Sequence, residues 1–136
     1  MKPLFPAAFA IAATLAASGC KSAEDYQRNH SATAAWLQSH TGRPGMNVTG
    51  DWDSPDWGEG HFRQVGSKVT GVLDDRPVGG VINGERLFLA ITEGGWTSYT
   101  AILRRQYDGS LAGTYCETVP FDSQDEEQME LRRARP

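Results

Sequence analysis

Lys68-Val69-Thr70-Gly71-Val72-Leu73, Pro77-Val78-Gly79-Gly80-Val81-Ile82 and Arg86-Leu87-Phe88-Leu89-Ala90-Ile91-Thr92 are three short apolar segments in a row. Asp74-Asp75-Arg76 separates the first two, and Asn83-Gly84 separates the last two. Segments of this length, rich in Val, Ile and Leu and cut by Gly and Asp, are strands joined by hairpin turns. The same texture extends in both directions from this core. It predicts strands over 46–53, 60–65, 67–73, 77–83, 85–92, 96–105, 110–119 and 127–133. The intervening turns are Ser54-Pro55-Asp56, Gly66, Asp74-Asp75-Arg76, Asn83-Gly84, Glu93-Gly94-Gly95, Asp108-Gly109 and the acidic stretch 122–126. Asn83-Gly84 and Asp108-Gly109 carry the strongest turn chemistry, since both suit the positive φ of type I′ turns. At the C-terminus Met129 and Leu131 alternate with Glu130 and Arg132, which reads as a closing strand with a frayed end. A solvated charged tail is the alternative there.

A short pattern recurs within these strands. Val48-Thr49-Gly50-Asp51-Trp52, Val69-Thr70-Gly71-Val72-Leu73 and Leu111-Ala112-Gly113-Thr114-Tyr115 each run aliphatic, small, Gly, any residue, large apolar. Period two places the aliphatic, the glycine and the large residue on one face. Glycine inside a strand is favoured where a sheet coils sharply or another chain comes close. Closure would also remove the exposed edges of so glycine-rich a sheet. The expected fold is all-β: an antiparallel up-and-down meander of about eight short strands forming a small barrel over residues 46–136. Its inward face should collect Val48, Trp52, Val69, Leu73, Ile82, Leu87, Leu89, Ile91, Tyr99, Leu103, Leu111, Tyr115, Met129 and Leu131.

Gly50-Asp51-Trp52 at the opening, followed by Gly71-Val72-Leu73 and Gly113-Thr114-Tyr115, resembles the small avidin-like and lipocalin-like meander barrels. It also resembles bacterial lipoproteins with a Gly-x-Trp opening. The resemblance covers residues 46–133 and concerns the fold, because the residues with which avidin holds biotin have no counterparts here. An eight-stranded barrel of this kind either fills its interior with side chains or admits one small ligand. If it admits a ligand, the open end near Trp52, Trp57, Trp96 and Tyr99 is where aromatic walls would receive it. Otherwise Trp52 and Tyr99 are core, and Trp57 and Trp96 cap turns.

The N-terminus speaks to location. Met1-Lys2 leads into an apolar stretch from Leu4 to Ala17, followed by Ser18-Gly19-Cys20. The stretch is short of the roughly 20 residues that a spanning helix needs and has the parts of a secretory signal. Ala17-Ser18-Gly19-Cys20 resembles the lipobox of bacterial lipoproteins, and cleavage of an ordinary exported precursor is the alternative. The resemblance implies that residues 1–19 are removed and that Cys20 becomes the lipidated first residue. It implies a protein of the cell envelope, held by its acyl chains. Lys21 stands where an aspartate would favour the inner membrane, so the periplasmic face of the outer membrane is expected. Loss of Lys2 takes the formal charge from −4 to −5, and no basic patch for nucleic acid or anionic lipid is expected.

Residues 20–45 form the tether. Ser22 and Asp25 make a capping pair for a marginal helix, with Gly42 and Pro44 as its stop. This spacer should hold the barrel away from the bilayer, and His30 and His40 within it read as solvated. Cys116 has no intrachain partner once Cys20 is lipidated, so it is either buried or free to pair with another chain. Without lipidation, a Cys20–Cys116 disulfide would be open to the chain.

Asp51, Asp53, Asp56 and Glu59 crowd one loop, but their spacing departs from known calcium loops, and a solvated acidic turn is expected. His61 is the only histidine of residues 46–136 and has no nucleophile motif beside it. No catalytic residue, metal ligand or cofactor follows from these residues. The leading expectation is a non-catalytic, membrane-anchored binding module for a small apolar or amphipathic ligand or an envelope protein. The alternatives are a structural envelope lipoprotein with a filled barrel, and an enzyme or inhibitor using the acidic loop 51–59.

Overall fold

Eight antiparallel strands close into one barrel in sequence order. They are β1 (Gly50–Ser54), β2 (Gly58–Val65), β3 (Lys68–Leu73), β4 (Arg76–Asn83), β5 (Arg86–Glu93), β6 (Trp96–Arg105), β7 (Leu111–Cys116) and β8 (Glu127–Arg133). A helix, α1 (Ala23–His40), precedes them. The computed structural model describes residues 21–135, so the expected signal segment and Cys20 lie outside the described residues. β8 returns to β1 through Trp52↔Arg133 and Asp53↔Arg132, which closes the meander that the turn spacing predicts.

The repeated glycines have a packing cause. A methyl group at Gly71 would land on the carbonyl oxygen of His61, and one at Gly113 on that of Ile102. Each glycine lets a neighbouring strand come closer than any side chain would permit, which a small, tightly coiled barrel needs. The turn chemistry is distributed differently from expectation. Asn83 is the last paired residue of β4, leaving Gly84-Glu85 as the link, with only Gly84 at positive φ. Asp108 likewise avoids positive φ and leaves it to Gly109. The link with positive φ at both positions is Gly94-Gly95, at 60° and 80°.

The first strand starts at Gly50, later than expected, because side chains satisfy the preceding backbone. Gln64 accepts from the Val48 N–H and donates to the Met46 carbonyl, both at 2.9 Å. Arg133 donates to the carbonyls of Thr49 and Asn47, each at 2.7 Å. β7 ends at Cys116, three residues short of expectation, and a short 3₁₀ turn at Ser123–Asp125 lies between it and β8.

Side chains fill the interior. Twelve of the fourteen residues expected to point inward are buried, while Tyr99 and Tyr115 stay partly exposed and pack against the same cluster. Trp57, Phe62, Val78 and Ala101 join it. Each large aliphatic so buried contributes about 1.5–3 kcal/mol, and together they outweigh the entropy of ordering such short strands only as a continuous core.

The helix is where the structure departs most from the sequence reading. The Ser22–Asp25 capping box forms as expected. Yet α1 does not stand off the barrel as a spacer: it lies against β4, β5 and β6. Trp36 is buried with Val81 and Phe88 in a second apolar cluster outside the barrel wall. Asn29 accepts from the Thr97 N–H at 2.8 Å and donates to the Thr97 carbonyl at 3.1 Å, so one amide side chain clamps the helix to β6. His40 is half-buried, its ring stacked on Phe88 at 4.2 Å, while His30 is exposed. Beyond α1, Gly45 donates to Gly84 and Gly84 donates to Arg43, both at 2.8 Å, stitching the expected linker to the barrel.

Candidate functional site

The meander sorts its charges by end. At one end the links 55–57, 74–75, 94–95 and 117–126 carry Asp56, Asp74, Asp75, Glu117 and Asp122–Glu126. At the other, Arg43, Lys68, Arg86, Arg104, Arg105 and Arg133 surround the links 66–67, 84–85 and 106–110, which hold the carboxylates Glu85 and Asp108. An overall acidic chain therefore gathers more cations than carboxylates at one end. Composition cannot reveal this, because only the alternation of hairpins brings residues separated in sequence to one rim.

An aromatic lid closes the acidic end. The Trp57 indole meets the Tyr99 and Tyr115 rings edge-on, both with centroids 5.0 Å away, and the two tyrosines lie 5.9 Å apart. Such edge-to-face pairs add about 0.5–1.5 kcal/mol beyond their buried area. The Arg76 guanidinium lies over Trp57 at 5.3 Å and is itself held by Glu93 at 3.0 Å. Trp57 is only 8 % exposed. Among the described residues, two buried polar atoms have no hydrogen-bond partner, Trp57 Nε1 in the lid itself and Ser54 Oγ at the end of β1. Unpaired buried donors are rare and are usually met by a water or a ligand group. Tyr115 donates to Glu127 at 2.6 Å, and that bond, with burial second, pushes its pKa up to about 12.

Four aromatics are expected at one open end, and the fold brings only two of them together. Trp57 and Tyr99 share the lid. Trp52 sits inside, 2 % exposed, its Nε1 donating to the Val48 carbonyl at 2.9 Å and the Arg133 guanidinium 4.2 Å from its ring centroid. Trp96 lies outside the wall, edge-on to Tyr26 at 5.5 Å, with the Lys21 ammonium 4.6 Å from its centroid. At the first position of β6, three residues before Tyr99, Trp96 is taken up by the helix, its ring packing on Tyr26 of α1. Tyr115, the third member of the lid, belongs to the inward set, but nothing in the sequence singles it out as a site residue.

Other candidates resolve individually. Asp51 Oδ1 accepts from His61 Nδ1 at 2.7 Å, and Glu59 lies 3.9 Å from the other ring nitrogen. The hydrogen bond to Asp51 raises the His61 pKa from its ordinary 6.5 against the opposing effect of desolvation. This pair therefore favours the folded state fully below pH 6.5 and loses that effect as pH rises through the raised value. Glu59 and Asp53 add smaller charge effects in the same direction. Among the described residues no three His, Cys, Asp or Glu side chains are arranged to hold a metal ion. Cys116 is buried and free. Burial pushes its thiol up, but the Asp122 N–H, Thr100 and Thr118 around the sulfur more than reverse this and bring its pKa below the ordinary value. Among the described residues no helix is long and apolar enough to cross a membrane. No protein-family model, curated protein or solved structure matches the chain.

Proposed function

We propose that this chain is a non-catalytic, lipid-anchored protein of the cell envelope whose barrel is a packed scaffold presenting its outer surface to an envelope partner. The filled interior carries the reading: Trp52, Leu73, Ile82, Leu87, Leu89 and Leu103 occupy the space that a carrier would leave for cargo. Lipidation at Cys20 would leave only Lys21 and Ser22 before α1. Because α1 begins beside Trp96, such an anchor would set the acidic, lidded end nearest the bilayer and turn the basic end away from it.

Native mass spectrometry of residues 21–136, exported without the anchor, tests the scaffold. A bare polypeptide mass is the expected result, and a reproducible extra mass lost on denaturation overturns it. Replacing Cys20 by Ala tests the anchor separately, with release from the membrane fraction as the expected outcome.

A second reading, a module for a small amphipathic ligand, draws on Trp57 Nε1 and Ser54 Oγ, buried without a partner among the described residues. It requires the Trp57, Tyr99 and Tyr115 rings to part. Under that reading Trp57→Phe would abolish capture of the extra mass while leaving the fold intact.

A further inference from the structure

At the basic end, Arg86 of β5 and Arg104 of β6 face each other directly across the strand pair. Both are exposed, and among the described residues neither forms a salt bridge with a carboxylate. Arg105, the next residue, behaves differently and is paired with Glu85. Like charges set directly opposite each other on a sheet repel, and sheets commonly relieve such contacts with an opposite charge. Here the repulsion is left standing. The two arginines line a cleft of about 360 Å³ together with His40, Asn83, Glu85 and Phe88. Its Phe88 wall is stiffened by the His40 ring stacked on it at 4.2 Å, with Trp36 packed edge-on at 6.0 Å. The only carboxylate in the cleft, Glu85, is already engaged by Arg105.

We propose that Arg86 and Arg104 form a binding site for a phosphate group. Two guanidinium forks without counterions suit an oxyanion that carries more than one acceptor edge, whereas a single carboxylate needs only one fork. A phosphate seated between them replaces the cross-strand repulsion with two charge-assisted contacts, at a position where the strands and the docked helix already fix the backbone. The phosphate can belong to a free solute or to a lipid headgroup of a surface other than the bilayer that a Cys20 anchor would enter. The site stands whether or not Cys20 is lipidated.

The test is thermal unfolding of residues 21–136 in sodium phosphate and in sodium chloride at matched ionic strength. Co-sedimentation with vesicles of phosphatidylglycerol in phosphatidylcholine, and of phosphatidylcholine alone, runs in parallel. Phosphate at tenfold its dissociation constant should raise the melting temperature by several degrees, on the order of 5 °C, with no such rise in chloride. Arg104→Gln and Arg86→Gln should each lose that response, and Arg63→Gln, with the same change of charge on β2, should keep it. A phosphate response identifies a free-solute site. Capture on phosphatidylglycerol vesicles without a phosphate response, lost in both cleft variants, identifies a headgroup site. Neither response, an equal response in chloride, or a response that survives both cleft variants overturns the proposal. The two variants relieve a repulsion and should fold at least as well as the parent, so loss of binding will not reflect unfolding.

Discussion

The barrel interior and the layer beneath α1 are both buried, yet they are built on different terms. The interior is almost wholly aliphatic and aromatic, and its members arise from alternate positions along successive strands. The outer layer mixes Trp36, Val81 and Phe88 with the Asn29–Thr97 clamp and the Thr33–Thr97 hydroxyl pair. A strand buried on one face must alternate, so the interior imposes a periodic signal on the sequence. A helix laid across the outside needs only a few matched contacts and imposes almost none. Alternation along a strand thus locates the face that makes the fold, and it is silent about what covers the other face.

Substitutions can set the two regions against each other. Trp52→Ala removes the largest fully buried side chain, leaves the Val48 carbonyl unpaired and takes away the Arg133 stack. It should cost about 3–5 kcal/mol in denaturant unfolding, with all strands melting together. Trp36→Ala should cost less, about 2 kcal/mol, because α1 can lift locally while the barrel stays closed. Hydrogen exchange should then quicken in α1 and leave β4–β6 protected. Equal exchange in both regions would show that the helix is an integral part of the barrel.

Asn29→Ala isolates the clamp. Both partners are Thr97 backbone groups, so the expected loss is about 1–2 kcal/mol, confined to the helix end near Trp96. The smallest effect is at the lid and depends on pH. Tyr115 keeps its proton up to about 12 in the folded chain, against an ordinary 10, so its bond to Glu127 stabilises fully below pH 10. That contribution should disappear as pH rises from 10 to 12, and Tyr115→Phe should flatten the stability profile over that window.

What was legible follows from the same physics. The closed meander, its strand positions from 60 to 105 and most of its interior could be read, since hairpin residues and period two are local signals. The late start of β1 was not, because Gln64 and Arg133 reach Met46–Thr49 only once β2 and β8 are in place. The expected cluster of Trp52, Trp57, Trp96 and Tyr99 failed for a similar reason. The docked helix takes up Trp96 and the barrel interior takes up Trp52, and neither contact is written in spacing.

By itself the chain of amino acids determined an all-β barrel with a capped helix before it, through turn residues, alternation and the Ser22–Asp25 box. Only the tertiary structure decided that the helix would dock on the barrel, that Tyr115 would join the lid, and that Arg86 would face Arg104. Each of these depends on register between segments distant in sequence, where a shift of one residue reverses the face a side chain occupies. The acidic and basic ends belong to the same class, because hairpins fold a nearly even scatter of charges into two opposed rims.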